Sequence, residues 1–310
     1  MYHILTDEDI NRILEMETVV AVIEQTLKAK AEGALVAPER FSVDADLGGL
    51  VFTAGAEQKY SQSIGFRVYE TFSNKTPEHQ QLVVVFESQT GRFKGLIIGK
   101  LVGALRTAAI NAVAIKYMAR PDATNLGILG SGFQARFHTQ FALDAGQFQR
   151  ARVFSPTASH REAFSKEVSA KAGIHVEIAN SVKEVVEFAD VLICATKSTT
   201  PVLDANWVKP GTHINTIGPK FRGKSEIPYE LAQKSQVIVT DSLQQVDGYP
   251  EPFFLLDTPE RKRMIDLSEV VAGKQKGRQS NDDITLFCSV GLSGTEVVVA
   301  NEALKAASSS

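Results

Sequence analysis

The sequence predicts an α/β protein whose larger part is a doubly wound parallel sheet. Three observations support this fold class. From residue 124 onwards, short apolar stretches alternate with stretches of helical spacing, which predicts consecutive βαβ units. The short stretches are almost uniformly apolar, as expected for strands covered by helices on both faces. A glycine-rich turn follows the first of these strands and marks the start of a helix.

The elements of this larger part can be placed along the chain. We predict strands at residues 125–129, 151–154, 174–178, 191–195, 213–217 and 237–240. Helices are predicted to begin near Gly132, Thr157 and Val182, and a last helix to cover residues 292–304.

The first third of the chain is predicted to hold helices followed by strands. Thr6 and Asp9 resemble a capping pair that opens a short helix. A second helix places Val19, Ile23 and Leu27 on one face and can end at Gly33. Strands are predicted at residues 40–44, 50–54, 64–70, 82–87 and 93–98, with a hairpin turn at 88–91 and a helix at 104–118.

Composition bounds the class of protein. A length of 310 residues suits two domains, or one domain with a large insertion. A net charge of −3 argues against a nucleic-acid partner. With only two cysteines, the sequence indicates no disulfide framework. It contains no run of eighteen apolar residues, so we predict no membrane-spanning helix. The acidic N-terminal residues lack a signal-peptide pattern, so we expect a cytoplasmic location and no membrane partner.

The glycine-rich turn predicts a dinucleotide-binding site of the Rossmann type. Gly130 permits the tight turn, Gly132 leaves room for a pyrophosphate, and Ala135 lets the helix approach the strand. The unpaired N–H groups at the helix start suit phosphates. The cofactor-binding residues predicted here are Gly130, Ser131, Gly132, Phe133, Gln134 and Ala135.

The second strand of this domain favours NADP over NAD. A carboxylate normally follows that strand to hold the ribose hydroxyls of NAD, and none follows residues 152–154. Ser155, Thr157, His160 and Arg161 can instead receive the 2′-phosphate of NADP. The alternative is that Thr157 only caps the next helix and Arg161 is solvated.

Three arginines in the first third are candidate carboxylate ligands. Arg40 begins a predicted strand, Arg67 alternates with apolar residues in another, and Arg106 lies in a helix of small apolar residues. A buried arginine is costly unless an anion meets it, and its planar fork suits a carboxylate. Structural ion pairs or surface exposure are the alternative explanation.

At these residues the chain resembles the ornithine cyclodeaminase/mu-crystallin family, over nearly its whole length. The matching segments are Pro38-Glu39-Arg40, residues 105–109, the turn at 130–136, Ile217-Gly218 with Glu226, residues 239–242 and residues 284–292.

The resemblance implies a homodimer and a split α+β substrate-binding and dimerisation domain formed by residues 1–118 and 292–310. Residues 119–291 would form the Rossmann domain. Arg40 and Arg106 would bind the substrate α-carboxylate. Further cofactor-binding residues would be Thr107, Thr196, Ser198, Ser289 and Gly291.

Two positions depart from the family pattern. Arg67 stands where the family usually has a lysine, and Lys220 where it usually has an aspartate. Arginine does not titrate usefully, so we expect Arg67 to bind at the reaction centre and Lys220 to act as the acid–base group. We expect the three arginines to lower the pKa of Lys220. Alternatively, Lys220 is a solvated loop lysine or a second carboxylate ligand.

These residues, together with what the resemblance implies, predict an NAD(P)-dependent oxidoreductase that acts on a small imino, amino or keto acid. Lys220 would repel the side-chain ammonium of ornithine, so a dicarboxylic substrate is favoured. A cyclodeaminase-type lyase that recycles its cofactor and a non-catalytic NADPH-binding protein of the crystallin type remain alternatives. The histidines lack metal-ligand spacing, so no metal is predicted, and Cys194 and Cys288 are expected to be small buried residues.

Overall fold

The computed structural model describes residues 2–72, 80–146 and 148–309. The chain forms two compact units. The first comprises Met1–Ala109 and Gly291–Ser310, and the second comprises Ile110–Val290. The boundary lies within the helix Leu101–Met118.

The elements of the first part of the chain are β1 (His3–Thr6), α1 (Asp7–Ile13), α2 (Met16–Ala31), β2 (Leu35–Val36), β3 (Phe41–Ala45), β4 (Gly48–Glu57), β5 (Ser63–Glu70), β6 (Leu82–Glu87), β7 (Phe93–Ile98) and α3 (Leu101–Met118).

The remaining elements are β8 (Asn125–Leu129), α4 (Phe133–Ala145), β9 (Arg150–Phe154), α5 (Ala158–Ala172), β10 (Val176–Ile178), α6 (Val182–Phe188), β11 (Val191–Cys194), a 3-10 helix (Ala205–Trp207), β12 (His213–Thr216), β13 (Lys220–Phe221), β14 (Lys224–Ser225), α7 (Tyr229–Lys234), β15 (Val237–Thr240), α8 (Leu243–Asp247), α9 (Pro259–Lys262), β16 (Ile265–Asp266), α10 (Leu267–Val271), β17 (Thr285–Cys288) and α11 (Thr295–Ser309).

The first unit contains a mixed sheet of seven described strands. Its order is β1-β7-β6-β5-β4-β2, with β3 paired to β4. Helix α11 packs on β4, β5 and β6 of this sheet and against α2. The buried residues of α11 include Val297, Ala300 and Leu304, so the helix covers one face of the sheet with apolar side chains.

The second unit contains a parallel sheet in the order β10-β9-β8-β11-β12-β17-β15-β16. Alternate residues of β11 belong to two separate hydrophobic clusters. Leu192 and Cys194 pack in one cluster, and Val191 and Ile193 pack in the other. Because successive side chains of a strand point to opposite faces, both faces of the sheet are covered. The predicted doubly wound Rossmann-type sheet is therefore confirmed.

Local sequence signals explain several element boundaries. At the start of α1, the Asp9 backbone N–H donates to the Thr6 hydroxyl at 3.4 Å, and the Thr6 N–H donates to the Asp9 carboxylate at 3.0 Å. This is the predicted capping pair. Val19, Ile23 and Leu27 are buried on α2, as predicted from their helical spacing.

Six of the described strands were not predicted, and four of them are only two residues long: β1, β2, β13, β14, β16 and β17. β1 lies before the first helix, where none was predicted, and pairs in parallel with β7. It is four residues long and only Leu5 in it is buried, so its sequence carries little pattern. β17 lies between β12 and β15 in the sheet, although it comes last in the chain. Pairing between strands so distant in sequence leaves no local signal.

Helix α3 is, among the described residues, the one helix long and apolar enough to cross a membrane by length and composition alone. Its mean hydropathy is 1.2, and 78 % of the helix is buried inside the structure, as in the core helix of a globular domain. The sequence shows no continuous apolar run there because Arg106, Asn111 and Lys116 interrupt it.

Candidate functional site

The predicted phosphate-binding turn has the geometry that a pyrophosphate requires. Gly130 adopts a φ of +109°, and a Cβ at this position would clash with the Ala195 carbonyl. Gly132 is the N-cap of α4, and a Cβ there would meet nothing within 4 Å. Ala135 is fully buried, which lets α4 lie close to the sheet. The positive end of α4 therefore opens onto free space next to the turn.

A pocket of about 610 Å³ lies at this turn. It is formed at the carboxyl ends of β8, β9, β11 and β12, the edge at which open α/β sheets bind their ligands. The predicted cofactor-binding residues that line it are Gly130, Ser131, Gly132, Phe133, Gln134, Ser155, Thr157 and Thr196. Its volume and its lining suit a dinucleotide.

The end of the pocket at β9 is neutral or basic. The Ser131 hydroxyl donates to the Ser155 hydroxyl at 2.9 Å. Arg161 donates to the Ser155 carbonyl at 2.8 Å and to the Pro156 carbonyl at 3.4 Å. Its guanidinium carbon lies 5.5 Å from the centre of the Phe154 ring. Arg161 is therefore held against the loop rather than fully solvated.

The remaining described groups at this end include no carboxylate that would repel an anion. Thr157 is the N-cap of α5, yet its side chain makes no capping hydrogen bond. His160 and Lys197 also line the pocket. Among the described residues that line it there is no aspartate or glutamate. Lys197 was not predicted, because a single lysine after a strand carries no motif.

Glu226 holds the ends of two strands of the pocket together. It is fully buried. Its Oε2 accepts from the Thr196 N–H at 2.9 Å and from the Thr196 hydroxyl at 2.8 Å. Its Oε1 accepts from the Thr216 hydroxyl at 2.6 Å, from Ile217 N–H at 3.1 Å and from Gly218 N–H at 2.6 Å. Sequence analysis noted Glu226 only as part of a matching segment.

Lys220 is buried rather than solvated. Its exposed fraction is 6 %, and its Nζ donates to the Gly218 carbonyl at 2.6 Å. Burial lowers the pKa of Lys220 from its usual 10.5, and Glu226 and Asp241 oppose this shift. The interpretation of Lys220 as a solvated loop lysine is therefore wrong.

The expected cause of that pKa shift needs correction. We expected Arg40, Arg67 and Arg106 to lower the pKa of Lys220. The pKa is lowered, but desolvation is the largest cause, and the groups within the second unit that act on Lys220 raise its pKa.

The two cysteines are buried thiols, as predicted. Cys194 and Cys288 have no exposed surface. Burial raises the pKa of the Cys288 thiol to about 12 and also raises that of Cys194. Since the thiolate is the nucleophile, neither residue suits nucleophilic chemistry.

In the first unit, Arg67 and Arg106 meet at one carboxylate. Nη1 of Arg67 lies 3.2 Å from Oε1 of Glu296, and Nη2 of Arg106 lies 3.1 Å from the same oxygen. Arg67 also donates to Gln81 Oε1 at 2.5 Å and lies over the Tyr69 ring at 4.5 Å. Sequence analysis missed Glu296, because nothing local marks α11 as the source of a counter-ion.

Glu296 is charged despite its burial. Its exposed side-chain fraction is 1 %. Burial is the largest influence and would raise the pKa of Glu296, but Arg106, Arg67 and Arg40 together bring it below its usual value. Both arginines therefore form an ion pair with Glu296, which agrees in part with the alternative explanation that Arg67 and Arg106 have a structural role.

Arg106 keeps donors that no described side chain uses. Its Nε and Nη1 atoms are buried and have no hydrogen-bond partner among the described residues. A Cβ on Gly291 would lie 2.8 Å from Arg40 Nη2 and 3.2 Å from Arg106 Nη1. Gly291 also has a φ of +87°, so only glycine fits beside both guanidinium groups without strain. Arg40 and Arg106 therefore converge at Gly291.

The hydroxyls of the predicted cofactor-binding residues Thr107, Ser198 and Ser289 form hydrogen bonds within their own unit. In the first unit, the Thr107 hydroxyl donates to the Gly103 carbonyl at 2.7 Å. In the second unit, the Ser198 hydroxyl donates to the Thr200 carbonyl at 2.6 Å, and the Ser289 hydroxyl accepts from an amide side chain of α3 at 3.3 Å.

A metal site does not emerge from the described part of the chain. No group of three or more His, Cys, Asp or Glu side chains in residues 2–72, 80–146 and 148–309 has the arrangement that could hold an ion. His79 lies outside the described residues.

The fold and the pocket together define a Rossmann-type dinucleotide-binding protein. The chain belongs to the ornithine cyclodeaminase/mu-crystallin family, whose model matches residues 2–309. The expected family assignment is therefore confirmed.

Individual relatives support this assignment. The chain is 32 % identical to the ketimine reductase mu-crystallin of Rattus norvegicus, over 75 % of this chain and 71 % of that protein. It is 31 % identical to the iminosuccinate reductase of Paracoccus denitrificans, over 74 % and 71 %. The solved structure of Thermococcus litoralis Δ1-pyrroline-2-carboxylate reductase with NADH and L-proline is similar with a TM-score of 0.90. That structure is 28 % identical and the similarity covers 99 % of this chain and 97 % of that chain. The chain is an oxidoreductase that uses a nicotinamide cofactor.

Proposed function

We propose that this protein reduces a small imino or keto acid with NAD(P)H, forming the corresponding amino or hydroxy acid. The observation that carries the proposal is the unsatisfied hydrogen-bonding capacity of Arg106. Its buried Nε and Nη1 nitrogens have no hydrogen-bond partner among the described residues, and their burial is costly unless an anion completes them. A substrate carboxylate is the anion that fits a planar guanidinium fork.

Lys220 supports a substrate with a second carboxylate. It is buried, and among the described residues its hydrogen bond is to one carbonyl, which leaves two of its three donors for a ligand. A second ammonium would be repelled by Lys220, whereas a second carboxylate would be attracted. The Paracoccus relative is named for iminosuccinate, which is a dicarboxylic imino acid. We therefore favour a dicarboxylic substrate.

Chain residues would divide the work of the reaction as follows. The nicotinamide supplies the hydride when bound. Arg40 and Arg106 bind the α-carboxylate and orient the carbon to be reduced. Arg67 forms an ion pair with Glu296, the carboxylate that also contacts Arg106. Lys220 Nζ donates a proton to the nitrogen or oxygen of the bond being reduced.

The lining next to β9 holds no acid among its described residues and favours NADPH. Ser155 and Thr157 offer hydroxyls, His160 offers an imidazole and Arg161 offers a positive charge, where NAD enzymes carry an acid. The cytoplasm, which keeps Cys194 and Cys288 reduced, is the location that suits this proposal.

A substrate panel tests the function. Oxidation of NADPH and of NADH is followed with oxaloacetate and 2-oxoglutarate plus ammonia or methylamine, with pyruvate plus the same amines, and with cyclic imines. We expect turnover, with a kcat/KM at least about tenfold higher for dicarboxylic acids and for NADPH, as expected for one additional charged hydrogen bond. Ammonia release from ornithine without net cofactor oxidation would indicate a lyase, and cofactor binding without any turnover would indicate a binding protein. Either result contradicts the proposal.

We also propose that the protein is a homodimer joined through the sheet face opposite α11. Phe41 and Val43 of β3 are more than half exposed, and Leu50 and Ile64 on the same face are about 40 % exposed. A contiguous apolar face of this kind is typical of a protein interface. A second copy of the chain is the expected partner, as the resemblance implies.

Sedimentation velocity tests the dimer. The charge that Val43→Asp introduces on this face should weaken the dimer at least about 30-fold, since burying an unpaired charge costs several kcal/mol. Ser42→Asp, on the other face of the same exposed strand, is the matched control and should remain dimeric. A monomeric wild type, or equal dissociation of both variants, would refute the proposed interface.

A further inference from the structure

We propose that Glu226 is a positioning residue that holds the pocket ends of β11 and β12 together and places a negative charge beside Lys220. The second half of this inference rests on the proton-donating role proposed for Lys220. The first half concerns the cofactor pocket alone and is independent of the reaction.

The hydrogen bonds of Glu226 link two neighbouring strands at one point. Oε2 binds both donors of Thr196, just beyond β11, and Oε1 binds the hydroxyl of Thr216 and two backbone N–H groups beyond β12. A carboxylate that accepts five hydrogen bonds is fully satisfied and rigid. Thr196, Ile217 and Gly218 line the pocket, so Glu226 fixes the wall without lining it itself.

The same carboxylate orients the partner of Lys220. The Gly218 N–H points to Glu226, and the Gly218 carbonyl accepts from Lys220 Nζ. These two groups belong to the successive peptide groups that meet at the Gly218 Cα, so a change of backbone conformation at Gly218 would disturb both bonds. Backbone bonds from Glu226 to Pro219 and from Val202 to Glu226 hold the segment on either side. The position of the Lys220 ammonium thus depends on Glu226 through one residue, Gly218.

The charge of Glu226 also acts on Lys220. The acidic groups around Lys220 in this unit are Glu226, Asp241, Cys194 and Cys288, and Glu226 has the largest effect of the four. Burial lowers the pKa of Lys220, and Glu226 opposes it. Without this carboxylate the pKa of Lys220 should fall further, so the lysine would lose its proton at a lower pH.

Two variants separate charge from geometry. Glu226→Gln keeps the size of the side chain and removes the charge, and Glu226→Asp keeps the charge and shortens its reach. If Lys220 donates its proton, kcat falls as the pH rises through its pKa. We expect Glu226→Gln to move this fall at least about one pH unit lower. Glu226→Asp should leave the fall within about half a unit and raise the Kd for NADPH about tenfold. Glu230→Gln, an exposed acid on α7, should change neither quantity.

A milder variant tests the positioning role should Glu226→Gln not fold. Thr216→Val is nearly isosteric and removes one donor to Oε1, at a buried residue outside the pocket lining. It should raise the Kd for NADPH, measured by nicotinamide fluorescence, about fivefold to tenfold. An unchanged Kd in Thr216→Val and Glu226→Asp, or an unchanged pH profile in a folded Glu226→Gln, overturns the inference. The absence of turnover in the wild type would instead refute the proposed function, and the affinity measurements would still decide the positioning role.

Discussion

Replacing Lys220 with methionine should lower kcat about 100-fold to 10,000-fold, the usual effect of removing a general acid. Methionine matches the length of lysine and can occupy the same buried space, but it carries no proton. The Kd for NADPH should change less than about threefold, because Lys220 contacts the Gly218 carbonyl and does not line the cofactor pocket. Steady-state kinetics and fluorescence titration measure the two quantities.

The lowered pKa of Lys220 also predicts how kcat changes with pH. Burial lowers the pKa of Lys220 from 10.5, so the protonated donor is lost at a pH below that value. Wild-type kcat should therefore fall on the alkaline side, and the small remaining kcat of Lys220→Met should not show this fall. Lys224→Met, an exposed lysine of the same hairpin paired with Glu251, is the control and should behave as wild type. A kcat within twofold of wild type for Lys220→Met would remove this residue from the mechanism.

Replacing Glu296 with glutamine should lower the free energy of unfolding by about 3–5 kcal/mol, the cost of breaking a buried ion pair by removing one partner. Glutamine retains the shape of the side chain, but Arg67 and Arg106 lose the carboxylate that both contact. Urea denaturation monitored by circular dichroism measures the loss. Glu302→Gln, which removes a partly exposed pair with Lys305 on the same helix, should cost at most about 1 kcal/mol.

Acid should weaken the first unit through the same residue. The pKa of Glu296 in the folded protein lies below its usual 4.5, so its charge stabilises the fold above that pH. This contribution is lost as the pH falls from about 4.5 through the lower folded-state value. Glu296→Gln should lack this part of the acid dependence. An equal loss of stability in Glu296→Gln and Glu302→Gln would show that the pair is not a stabilising centre.

Periodicity in the sequence was sufficient to predict most of the larger sheet. Strands such as β8 and β15 are mostly buried and apolar, and each is followed or preceded by a helical stretch. β17 was not predicted, since its place in the sheet depends on pairing with strands far away in the chain. β16 was also missed, because two residues are too few for a pattern.

The residues of the candidate site could be predicted where the residue type and its neighbours in the sequence indicate its role. Gly130 is required by a positive φ and a close carbonyl, and Arg106 was an unusual charge in an apolar helix. Glu226 and Glu296 each act through partners that the chain brings together only on folding. Their roles could not be read locally, and neither could the burial that lowers the pKa of Lys220.

The division of the first unit along the chain has a consequence for biosynthesis. Residues 110–290 form a contiguous unit, but the first unit is completed only when Gly291–Ser310 is made. Arg106 emerges about 190 residues before Glu296, its ion-pair partner. At a synthesis rate of about 5–20 residues per second, Glu296 is made roughly ten to forty seconds after Arg106. The nucleotide-binding unit can therefore fold on the ribosome before residues 291–310 complete the first unit.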